Sequence, residues 1–135
     1  VGNPCDRVLP GSEYHDGFCF LPVARHLSLD QAQTRCAEDG GFLAEPRTES
    51  LRDFLTVFAG MMFDPDVQVI LGATRTPPES RYRWLTSGQL LTDGPADNSS
   101  TDLLRAVYMD GPAGWEWTTA TADTIGYFIC QTSRG

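Results

Sequence analysis

The spacing of apolar positions changes period along the chain. Between positions 28 and 39, Leu29, Ala32, Cys36 and Ala37 recur at helical intervals. Ser28 and Gln31 supply a Ser-x-x-Gln capping signature ahead of them, and Gly40-Gly41 ends the run. Together these predict a helix with Cys36 on its apolar face. Phe42-Leu43-Ala44 reads as a short strand. Pro46 and Thr48 then lead into Leu51, Phe54, Leu55 and Phe58, the i, i+3, i+4, i+7 stripe of a second helix. Met61-Met62-Phe63 follows and reads as core filler between helix and sheet rather than as a cofactor-binding cluster.

From Val67 the period shortens. Val67 to Ala73 is a buried run, and Arg81-Tyr82-Arg83-Trp84 alternates polar with aromatic as a half-buried strand does. Residues 103–109, 114–117 and 125–130 supply three more strands, and the Thr-rich stretch after Trp117 reads as a turn. Helices ahead of strands predict an α+β fold. Pro77-Pro78 and residues 93–101 mark loops, but no repeat or linker divides the chain, so residues 1–135 read as one domain.

Composition narrows the function. With 41% hydrophobic and 21% charged residues, a chain of 135 residues can bury a core and is not globally disordered. No apolar run approaches the roughly 20 residues of a membrane helix, so membrane insertion is not expected. Eighteen acidic against ten basic residues give a net charge of −8, and the ten are all Arg, dispersed among carboxylates. Nucleic acid and anionic membrane surfaces, which need clustered positive charge, are poor partners. Four cysteines, an even set without a C-x-x-C pair, read as two disulfides in an oxidising compartment. Spacing alone leaves three pairings open. The chain begins at Val1 without initiator Met or charged-then-apolar leader, as expected of a mature secreted or ectodomain fragment.

Enzyme signatures are absent: there is no Gly-x-Ser-x-Gly elbow, His-Glu-x-x-His helix or phosphate loop. The two histidines are His15 and His26, and His15 beside Asp16 reads as a surface residue of an N-terminal hairpin. A non-enzymatic binding module is expected.

Taken in order, Cys5, Gly17-Phe18-Cys19-Phe20, Leu29, Ala32, Cys36, Gly40-Gly41-Phe42-Leu43-Ala44, Glu49, Phe54-Leu55, Leu71-Gly72-Ala73, Tyr82-Arg83-Trp84-Leu85-Thr86-Ser87-Gly88, Trp115 and Phe128-Ile129-Cys130 resemble the C-type lectin-like domain. The resemblance spans essentially the whole chain. It implies two helices, a lower sheet joining both chain ends, antiparallel sheets, and a long loop that carries ligands. It also implies the pairing Cys36 with Cys130, and Cys5 with Cys19 as in the family's long form. Trp84 and Trp115 fall where the family has core tryptophans.

Three departures bear on ligand binding. The disulfide that braces the long loop in the family is missing, with Ala106 and Ala120 or Ala122 at its positions, so bracing passes to packing by Leu103, Leu104, Val107 and Trp115. The sugar-binding members' calcium triplet is reduced to Asp97 in Pro95-Ala96-Asp97-Asn98, and their Asn-Asp pair after the strand tryptophan is replaced by Glu116 and Trp117. Calcium takes six to eight oxygens. Asp97, Glu116 and Asp102 with loop carbonyls and water are therefore expected to give at most a weak calcium site, the alternative being a solvated acidic rim and no cofactor. Third, Asn98-Ser99-Ser100 is an N-glycosylation sequon within the same loop.

The resemblance thus implies an extracellular lectin whose glycan ligand meets Asp97, Asn98, Glu116 and Trp117. A metal-free variant would use Trp117, Arg81, Arg83 or Glu79. The alternative is a calcium-independent domain that binds a protein partner.

Overall fold

The computed structural model describes Cys5 and residues 12–75, 81–91 and 104–133. It opens with a hairpin of β1 (Glu13–His15) and β2 (Phe18–Leu27). The two-residue turn, Asp16-Gly17, has positive φ at both positions, 49° and 86°. A turn of that hand matches strand twist and favours an Asp-Gly pair. The chain continues through α1 (Leu29–Glu38), β3 (Phe42–Leu43), α2 (Glu49–Met62), β4 (Gln68–Arg75), β5 (Arg83–Trp84) and β6 (Arg105–Asp110). A 3-10 turn (Gly111–Ala113) then leads to β7 (Glu116–Thr121) and β8 (Gly126–Ser133).

Both helices start where their capping residues stand. The Ser28 backbone N–H donates to the Gln31 side chain at 3.1 Å, and the Thr48 hydroxyl accepts from the Leu51 N–H at 3.2 Å. The sheet order is β1-β2-β8-β4-β6-β7, with β3 added to β8 and β5 to β4. All pairings are antiparallel except β4 with β8. The β2–β8 pairing sets the first long strand beside the last, as the resemblance implies.

Strand alternation explains the two cores. On β4, β6 and β8, Val69, Leu71, Val107, Met109 and Ile129 join one cluster, with Leu51, Leu55 and Phe58 of α2. Their neighbours Ile70, Ala106, Tyr108, Phe128 and Cys130 join the other, with Leu29, Ala32 and Cys36 of α1. Successive strand residues face opposite ways, so α1 and α2 cover opposite faces of one sheet. Each large side chain so buried contributes about 1.5–3 kcal/mol. The Cys36–Cys130 disulfide ties α1 to β8, and Cys5–Cys19 ties the N-terminal segment to β2. The first closes a separation of 94 residues, for which loop entropy gives about 4.7 kcal/mol.

Several expectations need correction. Strands β1 and β2 precede the first helix, so helices do not simply come before strands. The Thr-rich stretch is part of β7 and pairs with β6 along its whole length. Of Met61-Met62-Phe63 only Phe63 enters the core; Met61 is 72% exposed and Met62 48%, because the helix turns that edge toward solvent. Trp84 is buried, whereas Trp115 is only partly so. Among the bracing residues, Val107 is buried and Leu104 is more than a third exposed.

Candidate functional site

The start of β7 and the first turns of α2 form the two walls of a cleft of about 790 Å³. On one wall the chain leaves the 3-10 turn through Gly114 and Trp115, whose φ angles are 67° and 68°. A tryptophan in the left-handed region is uncommon and costs of the order of 1 kcal/mol. Its indole Nε1 lies against α2 at Gly60, 3.3 Å from where a Cβ would stand. This bend delivers Glu116 and Trp117 to the cleft, with the Glu116 carboxylate exposed and Trp117 partly buried. The Trp117 ring meets Trp84 edge-on, with ring centroids 5.9 Å apart.

The opposite wall comes from α2, where Glu49, Arg52, Asp53 and Thr56 share a face by their i, i+3, i+4, i+7 spacing. The Arg52 guanidinium carbon lies 4.4 Å from the Trp117 ring centroid, a cation–π contact that joins the walls. That contact occupies one face of the indole Trp117 was expected to offer a sugar. Arg52 was not anticipated from sequence, because its partner is far along the chain and helical spacing alone marks it as a solvated charge.

The remaining expected site residues divide in two. Glu79, Asp97, Asn98 and Asp102 lie outside the described residues, as do the expected glycosylation site and most of the expected calcium set. Arg81 and Arg83 are exposed, and Arg83 donates to the Gly88 carbonyl at 2.9 Å. Among the described residues no three His, Cys, Asp or Glu side chains converge as a metal cage. Glu116 is the one described member of the expected calcium set, and its neighbour Trp117 brings an indole where an oxygen is needed. The described residues alone therefore do not fit calcium, which takes six to eight oxygens.

A buried carboxylate anchors the base of the segment that follows β5. Glu45, 1% exposed, accepts from the Thr86 backbone N–H at 2.8 Å and from the Thr86 hydroxyl. Its own N–H donates to the Gln131 side chain at 2.9 Å. Gly72 makes room beneath it, since a Cβ there would come within 2.9 Å of the Glu45 Cγ. Burial pushes the Glu45 carboxyl above its ordinary 4.5, opposed by the Thr86 hydrogen bonds and by Arg47, whose Nε is 3.8 Å from Oε1.

His15 is not a simple surface residue. Its ring stacks on Phe54 at 4.4 Å, and Nε2 lies 3.0 Å from the Ser50 hydroxyl and 3.4 Å from Asp16 Oδ2. The Ser50 hydroxyl donates directly to Asp16 at 2.6 Å. A nucleophilic triad needs the imidazole between serine and carboxylate, with one ring nitrogen for each. Here both contacts use the same nitrogen and the serine bypasses the ring, so the cluster docks the hairpin on α2 without forming a proton relay.

Residues 25–132 match the family model described as the lectin C-type domain. The chain belongs to that family. C-type lectin-like domains are generally binding modules rather than enzymes. Among solved structures, human lithostathine aligns at 18% identity and a TM-score of 0.79, covering 91% of this chain and 97% of that one. A calcium-dependent type II antifreeze protein in its calcium-free form aligns at 20% identity and 0.75, covering 90% and 97%. SPL-1 in complex with GlcNAc aligns at 19% identity and 0.75, covering 90% and 92%. At such identities the likeness shows the C-type lectin-like fold.

Proposed function

We propose that this C-type lectin-like domain is an extracellular carbohydrate-binding lectin whose ligand surface runs from the loop after β5 to the start of β7. The observation that carries this reading is the cleft at that end of the sheet, where Glu116 and Trp117 stand together beside polar side chains of α2. Its volume falls within the range of small-ligand sites, and its largely polar lining suits a hydroxyl-rich ligand better than an apolar one. Membership of the lectin C-type family supports it, and a structural neighbour was solved with GlcNAc bound. Two disulfides suit the oxidising conditions outside the cell.

Calcium enters this proposal as a weak addition, held by Asp97, Asp102 and Glu116 with an affinity of about 10⁻⁴–10⁻³ M. When bound, the ion would offer coordination positions to sugar hydroxyls. Asn98 follows Asp97 directly in the sequence, so a glycan attached to it would stand beside the proposed calcium ligands. Titration calorimetry with a glycan panel, with calcium and with chelator, tests the reading. A saccharide should bind wild-type protein and bind Glu116→Gln more weakly; no heat from any glycan would sink it. A protein-binding domain is the second reading, favoured by exposed Val57, Met61 and Met62 on α2.

A further inference from the structure

We infer that the cleft between α2 and β7 is a metal-independent saccharide subsite for a neutral, hydroxyl-rich oligosaccharide, with Arg52 as its specificity-determining residue. The inference rests on the lectin reading and adds to it a wall, a ligand class and a mode of recognition. Sugar hydroxyls both donate and accept hydrogen bonds. Glu49, Asp53 and Glu116 line the cleft with carboxylate acceptors, and Arg52 and Arg47 line it with guanidinium donors. Both halves of the hydroxyl pattern are therefore met without a metal.

Arg52 has a second property. Its contact with the Trp117 ring holds the guanidinium in place before any ligand arrives, which reduces the ordering cost of binding. The same contact covers an indole face, so the subsite reads hydroxyls by hydrogen bonding in preference to stacking a pyranose on Trp117. Charge selects the ligand further. The lining carries three carboxylates and two guanidiniums, and Arg47 also leans toward the Glu45 carboxylate at 3.8 Å. An acidic sugar would meet a wall with net negative charge, within one Debye length and on a chain of net charge −8. Neutral saccharides meet no such penalty. The volume of about 790 Å³ sits in the upper part of the range for small-ligand sites and has room for more than one ring.

The test is titration calorimetry in chelator, comparing neutral with sialylated and sulfated oligosaccharides on wild type, Arg52→Ala and Asp53→Asn. Indole fluorescence is followed in parallel on wild type and Trp117→Phe. Neutral saccharide should bind wild type in chelator and change its fluorescence, and Trp117→Phe should lose that change. Arg52→Ala should weaken binding about tenfold or more, the loss expected for a charged hydrogen bond. Asp53→Asn, which leaves the Arg52–Trp117 contact in place, should weaken it about threefold or more. The inference is overturned by an Arg52→Ala affinity within about twofold of wild type, by a preference for acidic sugars, or by binding that chelator abolishes. In each of those cases the lectin reading survives. If no glycan binds in any condition, both fall together.

Discussion

Glu45 shows how a single residue couples the segment after β5 to the core. It is withdrawn from water, yet it accepts two hydrogen bonds from Thr86. Because burial raises its pKa, the folded state binds the proton more tightly than the unfolded chain does. Its contribution is fully present below 4.5 and is lost as pH rises through the raised folded value. Wild-type stability should therefore decline over that window relative to Glu45→Gln, which keeps a carbonyl acceptor for Thr86 and cannot ionise. Denaturant unfolding across pH checks this; parallel curves for the two proteins would contradict it. Glu45→Ala leaves the Thr86 donors without their acceptor and should cost about 1–3 kcal/mol at any pH. Tyr108, fully buried on β6, offers a second residue-scale test. Burial pushes its hydroxyl up to about 12, with Asp123 adding to the effect, and it donates to the Thr124 carbonyl at 2.8 Å. Tyr108→Phe should cost about 1 kcal/mol in denaturant unfolding. Neither role was legible in the sequence, because Glu45 and Thr86 are 41 positions apart and nothing local to either marks the other. Ser28 and Thr48 were legible because a cap acts within one turn of its own helix.

At the scale of elements, the missing loop brace has a definite place. Ala106 on β6 and Ala120 on β7 face each other as direct cross-strand partners, so the position that resemblance left between Ala120 and Ala122 resolves to Ala120. Opposed residues of an antiparallel pair sit about 4.5–5.5 Å apart, within disulfide reach. The double change Ala106→Cys with Ala120→Cys should form a third bridge under oxidising conditions and stabilise the protein by up to about 3 kcal/mol. Mass spectrometry and melting curves check this. Two free thiols at these sites would show that the β6–β7 register is wrong. The sequence revealed the helices and the central strands because their apolar periods are strong. It hid β2, whose Phe18–Leu27 run contains Pro22, buries its residues irregularly and has a register shift near its end. It hid most of β7 as well, because threonines at an edge lack apolar alternation although they favour strands. It misled at Met61 and Met62, where apolar character continued past the point at which the helix face leaves the core.

Among the described residues, the packing consists of a sheet covered on both faces and two disulfides. Chelator should therefore move the melting temperature by well under about 10 °C; a larger loss would mean that calcium supplies more than about 1 kcal/mol of folding energy. The C-type lectin-like fold was legible because its marks, Cys36 to Ala44 and the closing Phe128-Ile129-Cys130, belong to the packed core where geometry restricts the side chains. The proposed binding surface was legible only in part. Glu116 and Trp117 follow a recognisable strand tryptophan, but the α2 wall opposite them is assembled by tertiary packing. The most direct test of the lectin claim is calorimetric titration of neutral oligosaccharides into wild type, Asp97→Asn, Glu116→Gln and the double variant, with calcium and with chelator. Wild type should bind, more tightly in calcium, and chelator should not abolish the binding. In calcium each single change should weaken binding, and the double variant should be little worse than either, as partners in one site behave. Strictly additive losses would contradict a shared site, and the absence of saccharide binding to wild type under both conditions would contradict the lectin assignment itself.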